Sequence, residues 1–172
     1  MDNFDNSLRV TPSPWNPWLA LAGWVALCAV AGAVGAIASA DAKDFYATLD
    51  KPAWAPPSAV FGPVWTLLYI AMAVAAWLVW RERGFARARG ALGLFLGQLA
   101  LNALWSWLFF AWHRGALAFA DIVALLALIV ATMVSFAKIR QLAAWLLAPY
   151  LAWVTFATLL NYSVWQRNPL LQ

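Results

Sequence analysis

Residues 18–39 read WLALAGWVALCAVAGAVGAIAS and contain no charged side chain. A helix of this length extends over about 30 Å, which is the thickness of the hydrocarbon core of a bilayer. Four more stretches have the same character: 59–80, 90–112 and 141–166 carry no charge, and 115–137 carries only Asp121. The sequence therefore predicts an all-α membrane protein, a bundle of five transmembrane helices.

The apolar stretches define one domain at 18–166, with an N-terminal extension at 1–17 and a short C-terminal tail at 167–172. The first stretch ends in Ala38-Ser39-Ala40, which is similar to a signal-peptidase site. A signal peptide, however, has an apolar core of about 7–15 residues behind a basic leader. Because this stretch is longer and only Arg9 precedes it, we expect the first helix to be retained.

The net charge of +4 is distributed unevenly between the two ends of the predicted bundle. Basic residues favour the cytoplasmic side of membrane helices. Four basic residues fall on one side (Lys43, Lys51, Arg114, Arg167) and seven on the other (Arg9, Arg81, Arg83, Arg87, Arg89, Lys138, Arg140). This asymmetry predicts a cytoplasmic N-terminus in a bacterial cell membrane, and it does not indicate a nucleic-acid partner.

The third apolar stretch has two distinct faces. Gln98, Asn102 and Trp105 recur at helical spacing, and amides in a membrane rarely face lipid. Gly93 and Gly97 form a second stripe, which permits close approach of another helix. That helix belongs either to a second copy, giving a homodimer, or to the same chain.

The fifth stretch repeats this pattern with Trp153, Ala157 and Asn161 on one face. A small alanine between an indole and an amide leaves room for a flat molecule, although ordinary helix packing is the alternative. Pro149 removes a backbone hydrogen bond near the start of the stretch and predicts a kink there.

The connection LDKPAWAPP at 49–57 contains three prolines and Trp54. Proline restricts its own φ and that of the preceding residue, so this segment is predicted to be a rigid connector. No His, Cys or paired carboxylate lies where general acid–base or nucleophilic chemistry would need it, and no metal-binding cluster is present in the sequence.

Several segments, in order, resemble the tryptophan-rich sensory protein, or translocator protein, family (TspO, the peripheral benzodiazepine receptor). They are FYATLDKPAWAPP, GPVWTLLY, GQLALNALWSWLFF, PYLAW and FATLLNYSVW. The resemblance implies a five-helix bundle, commonly homodimeric, with a cavity for porphyrins and other flat hydrophobic ligands, closed by the loop after the first helix. One departure is the run Trp105-Ser106-Trp107, where many relatives have a proline.

The resemblance also implies which residues contact the ligand. They are two lid aromatics and six residues of the cavity wall: Tyr46, Trp54, Trp65, Asn102, Trp105, Trp153, Ala157 and Asn161. Leu160, Tyr162 and Arg167 match a proposed sterol-binding pattern, which is weak evidence by itself.

Three functions follow as alternatives from the family. The favoured one is binding of a porphyrin or haem, as a ligand rather than a required cofactor, in sensing or transport. The second is light-dependent porphyrin degradation by Trp65 and Trp153, and the third is a sterol-binding or scaffold role in the lipid bilayer.

The charge asymmetry predicts opposite locations for two connections. Reporter fusions at Gly84 should report the cytoplasm, and fusions at Pro52 should report the opposite side of the membrane. The reverse result would contradict the orientation, and the same location at both sites would contradict the second helix.

Overall fold

The computed structural model describes residues 16–171 and is helical almost throughout. The first 15 residues, most of the predicted N-terminal extension, and Gln172 lie outside the described residues. The α-helices are α1 (Pro17–Ala38), α2 (Ala42–Thr48), α3 (Phe61–Ser106), α4 (Gly115–Ala137), α5 (Gln141–Trp145) and α6 (Ala148–Arg167). Short 3₁₀ turns at Ser58–Val60 and Pro169–Leu171 complete the described chain.

The long helix α3 reverses direction at Gly84. This residue has φ 64° and ψ 177°, a conformation open to glycine because it has no Cβ. Trp65 and Trp105, on either side of Gly84, line the same cavity. A straight helix would hold these two residues about 60 Å apart. The chain is therefore folded back at Gly84, and α3 contributes two antiparallel arms to the bundle.

The sequence prediction placed a loop between residues 80 and 90, and this was wrong. Apart from Gly84, the segment is helical, because Arg and Glu are good helix formers and a single glycine is enough to turn the chain. The predicted kink near Pro149 is confirmed. Helix α5 ends at Trp145, and α6 begins at Ala148 with the proline in its first turn.

A π-helical turn at Trp107–Ala111 follows α3. The Trp112 N–H donates to the Trp107 carbonyl at 2.8 Å, and the Arg114 N–H donates to the Leu108 carbonyl at 2.8 Å. This turn lies directly after Trp105, where many relatives were expected to have a proline. This arm of the helix thus ends in a wider backbone turn.

Side-chain contacts assign the connections to two ends of the bundle. Glu82 pairs with Arg140, which joins the Gly84 reversal to the connection between α4 and α5. At the other end, Phe45 packs on His113 with ring centroids 4.1 Å apart, and Arg167 lies 3.9 Å from Asp50. The basic residues near Gly84 and those near the 49–57 connection therefore lie at opposite ends.

Four helical segments are long and apolar enough to cross a membrane: Pro17–Ala38, Ser58–Ala111, Gly115–Ala137 and Gln141–Arg167. The second has 54 residues and includes the reversal, so five crossings remain a prediction. On the proposed dimer face, Gly93 is exposed, and a Cβ there would meet nothing within 4 Å. A Cβ at Gly97 would lie 3.5 Å from Leu128 of the same chain, and the homodimer also remains a prediction.

Close packing at Gly115 predicts a loss of stability on substitution. In Gly115→Ala the new Cβ would lie 2.8 Å from Trp165 Cδ1 and 2.9 Å from the Leu171 carbonyl oxygen. Relieving such overlap typically costs about 1–3 kcal/mol. Gly90→Ala is the matched control, because that helical position has nothing within 4 Å of a Cβ. Thermal unfolding in detergent should show a lower midpoint for Gly115→Ala only, and equal midpoints would contradict this packing.

Candidate functional site

A cavity of about 820 Å³ lies inside the bundle, bordered by α1, α2, both arms of α3, α4 and α6. This volume falls within the range of about 300–1,000 Å³ that small-molecule sites occupy. Its wall is mostly apolar and aromatic. The residues that line it include Cys28, Lys43, Tyr46, Trp65, Tyr69, Asn102, Trp105, Trp153 and Ala157.

Six of the predicted ligand-contact residues line this cavity. They come from four separate parts of the chain, which the fold brings together: Tyr46, Trp65, Asn102, Trp105, Trp153 and Ala157. The reversal at Gly84 is what places the second and third predicted stretches on facing walls. Whether these residues contact a ligand stays a prediction, but their common location is a property of the fold.

Asn161 does not line the cavity but holds one of its wall residues. The Trp105 indole N–H donates to Asn161 Oδ1 at 2.9 Å, and Asn161 Nδ2 donates to the Gly115 carbonyl at 3.4 Å. The amide is buried and its hydrogen bonds orient the Trp105 ring. Its expected place in the wall is therefore corrected to a supporting one.

Trp54 also lies outside the cavity lining. Its side chain is 51% exposed, and its ring packs edge-on against Phe156 at 5.7 Å. Phe156 in turn packs against Trp153, with ring centroids 5.6 Å apart. Trp54 therefore reaches the cavity wall only through Phe156, and its contact with a ligand stays a prediction.

Tyr46, on the helix α2 that precedes this connection, does line the cavity. Its hydroxyl donates to the Pro56 carbonyl at 3.2 Å, so the tyrosine holds the second half of the proline-rich segment. Burial raises the pKa of this hydroxyl, which keeps it protonated and able to donate. Lys51 Nζ donates to the carbonyls of Tyr46 and Leu49 and lies 4.9 Å from the tyrosine ring centroid.

Two polar groups in the cavity wall differ in their partners. Asn102 Nδ2 donates to the Tyr150 hydroxyl at 3.2 Å. The Trp153 indole N–H is buried and has no hydrogen-bond partner among the described residues. Because an unpaired buried donor is costly, this N–H is an unsatisfied group within the packing around the Trp153 ring rather than an exposed donor of the cavity.

Lys43 is the one charged residue among those that line the cavity. It belongs to α2, at the end of the bundle where α1 stops. From the sequence, Lys43 was considered only as part of the charge balance. Tyr69 and Tyr150 were not predicted. Helical spacing could have identified both, because Tyr69 lies one turn after Trp65 and Tyr150 lies three residues before Trp153.

The residues of the sterol-binding pattern do not share one surface. Leu160 is 7% exposed and belongs to a buried apolar cluster, whereas Tyr162 is 50% exposed. Arg167 lies at the end of α6 beside Asp50. A sterol on the outside of the bundle could contact Tyr162 but not Leu160.

The fold and site define the class: a multi-pass membrane protein, helical almost throughout its described residues, with an aromatic cavity lined at one end by α2 and the 3₁₀ turn at Ser58–Val60. The sequence profile of the TspO/MBR family matches residues 24–166. The chain belongs to the TspO/MBR family.

Named relatives come from animals and bacteria. The chain is 41% identical to the human translocator protein over 155 residues, which cover 88% of this chain and 92% of the human protein. It is 40% identical to the tryptophan-rich protein TspO of Chlorobaculum tepidum, with 88% and 97% of the two chains covered. It is 41% identical to protein CrtK of Rhodobacter capsulatus, with 83% and 88% covered.

The position of Ala157 predicts that a larger side chain there blocks the cavity. Ala157→Leu adds volume to the wall beside Trp153, and overpacking of this kind costs about 1–3 kcal/mol. Protoporphyrin affinity, measured by quenching of tryptophan fluorescence, should fall at least about fivefold. Ala152→Leu, an exposed position on the same helix, is the matched control and should bind as the parent does. Equal affinities for all three proteins would place the ligand elsewhere.

Proposed function

We propose that this chain binds porphyrin dicarboxylates of the protoporphyrin or haem type in its cavity and acts in their sensing or transport. One observation carries the proposal: the cavity has indole and tyrosine walls and a single charged lining residue, Lys43, near one end. A flat apolar macrocycle with carboxylates along one edge matches such a distribution, with its carboxylates toward Lys43.

The indoles account for the preference for a flat, conjugated ligand. Trp65, Trp105 and Trp153 lie on three sides of the same cavity, and aromatic rings interact favourably by offset stacking and edge-to-face contact. Family membership supports the same proposal, since the relatives include proteins named translocator protein and tryptophan-rich sensory protein.

For the membrane topology, we propose five crossings, with the reversal at Gly84 separating two of them. Each arm of α3 has more than the roughly 20 residues that a crossing needs. Arg81, Arg83, Arg87 and Arg89 surround the reversal, which fits a position at the membrane surface on the cytoplasmic side.

The role of Lys43 predicts different behaviour for a charged ligand and a neutral one. Lys43→Gln should weaken binding of protoporphyrin about two- to fivefold, the range of an exposed ion pair, and leave binding of its neutral dimethyl ester unchanged. Lys138→Gln, at the opposite end of the bundle, is the control. Equal losses for acid and ester would show that Lys43 does not recognise the carboxylates, and the absence of saturable binding by either would overturn the proposed function.

A measurement on the protoporphyrin complex distinguishes a binding protein from an enzyme. Trp65 and Trp153 are oxidisable rings on the cavity wall, which is the observation that favours light-dependent degradation as a second candidate. Porphyrin absorbance followed in light and in darkness, for the parent, Trp65→Phe and Trp153→Phe, decides between them. Loss only under light and only in the parent would assign an enzyme, whereas stable absorbance supports binding alone.

A further inference from the structure

The C-terminal residues after α6 contact the connection at 49–57, which lies between two cavity-lining residues, Tyr46 and Ser58. The Asp50 N–H donates to Asn168 Oδ1 at 2.9 Å, and Asn168 Nδ2 donates to the Asp50 carbonyl at 2.9 Å. One side-chain amide thus pairs with both backbone groups of a residue 118 positions away in the chain. In the described chain, these two bonds are the hydrogen bonds that join the proline-rich connection to a distant segment.

Asn168 itself is firmly held. Its Nδ2 also donates to the Val164 carbonyl at 2.7 Å, which fixes the side chain against the last turn of α6. The residues that follow turn back, with the Leu171 N–H donating to the Asn168 carbonyl at 3.0 Å. Leu171 is 1% exposed and packs over Gly115 at the start of α4. The tail is therefore anchored to the bundle on both sides of Asn168.

The other partner of these bonds leads to the cavity wall. Asp50 is followed by Lys51, whose ammonium group holds the Tyr46 carbonyl at 2.5 Å, and Tyr46 lines the cavity. Asn168 does not touch the cavity but fixes, through Asp50 and Lys51, the segment that carries Tyr46. Asn168 is therefore a positioning residue for the proline-rich connection.

We propose that the Asn168 side chain acts as a clasp: its two hydrogen bonds to Asp50 hold the connection against the bundle. The strength of these bonds then sets the rate at which ligands enter and leave the cavity. The segments on either side of this connection, α2 and the 3₁₀ turn at Ser58–Val60, line one end of the cavity, so displacing the connection would open that end. Two side-chain hydrogen bonds of ordinary strength change an opening equilibrium by about tenfold or more. Their loss raises both the association and the dissociation rate, and affinity changes less than either.

A ligand-free measurement tests the clasp by itself. Cys28 is the single cysteine of the chain; it lines the cavity and is 1% exposed. Its alkylation by a water-soluble maleimide therefore reports access to the cavity. Asn168→Ala should accelerate the reaction about tenfold, and Asn168→Asp, which places a carboxylate oxygen against the Asp50 and Val164 carbonyls, should accelerate it at least as much.

Asn16→Ala is the matched control, because Asn16 also bonds a backbone N–H through its side chain, at the far end of α1. It should leave alkylation unchanged. Equal rates for the parent and both Asn168 variants, including no detectable reaction in any of them, would overturn the clasp. If Asn168→Ala does not yield folded helical protein, Asn168→Asp provides the same comparison.

A second measurement uses protoporphyrin and rests on the proposed function. In stopped-flow fluorescence, Asn168→Ala should raise both the association and dissociation rates, whereas a general loss of stability would raise dissociation and slow association. Faster alkylation without any protoporphyrin binding would retain the clasp and reject the proposed ligand. Normal binding with unchanged alkylation and unchanged rates would reject the clasp and retain the ligand.

Discussion

The requirement that backbone amides pair within the chain controls this structure. Hydrocarbon offers no hydrogen bonds, so the chain must remain helical wherever it is surrounded by lipid. Within the four long apolar segments the interruptions are correspondingly few: Gly84, the π-helical turn after Ser106, and the break at Leu146 and Leu147. Because long helices cannot bend to enclose a volume, a cavity arises where several of them meet around small and aromatic side chains.

The helices that the sequence predicted well are those with abrupt changes of polarity at both ends. The apolar stretch 115–137 coincides with α4, and the stretch 18–39 differs from α1 by one residue at each end. The segment around Gly84 was predicted less well, since charge was interpreted as a loop. Arg81 and Arg83 favour a helix as strongly as the apolar residues before them, and hydropathy alone does not distinguish an exposed helix from a loop.

The cavity was predictable to the extent that helical spacing decides which residues share a face. Asn102 with Trp105, and Trp153 with Ala157, satisfy that condition, and both pairs line the wall. Spacing cannot distinguish a residue that faces a cavity from one that faces another helix. Asn161 follows Ala157 by one helical turn, yet its amide is used by Trp105 and Gly115.

Buried polar groups in the bundle differ in whether they have hydrogen-bond partners. A buried amide without partners is costly in hydrocarbon, and Asn161 avoids this cost by bonding to an indole and a carbonyl. The Trp153 N–H, by contrast, has no partner among the described residues. This nitrogen is fully buried, so it is an unsatisfied group within the protein packing and does not offer a hydrogen bond to the open volume of the cavity.

Helix α6 connects the wall of the cavity with its closure. Trp153 and Ala157 lie on this helix, and Asn168 immediately follows its last residue. A helix transmits axial displacement along its length because its backbone hydrogen bonds resist compression, so a ligand that displaces α6 at Trp153 also displaces the amide that holds Asp50. Any difference in ligand affinity between the open and closed forms then appears as a shift in the lid equilibrium. If Asn168 acts as the proposed clasp, occupancy of the cavity and the position of the connection are coupled through α6, without contact between the ligand and the proline-rich segment itself.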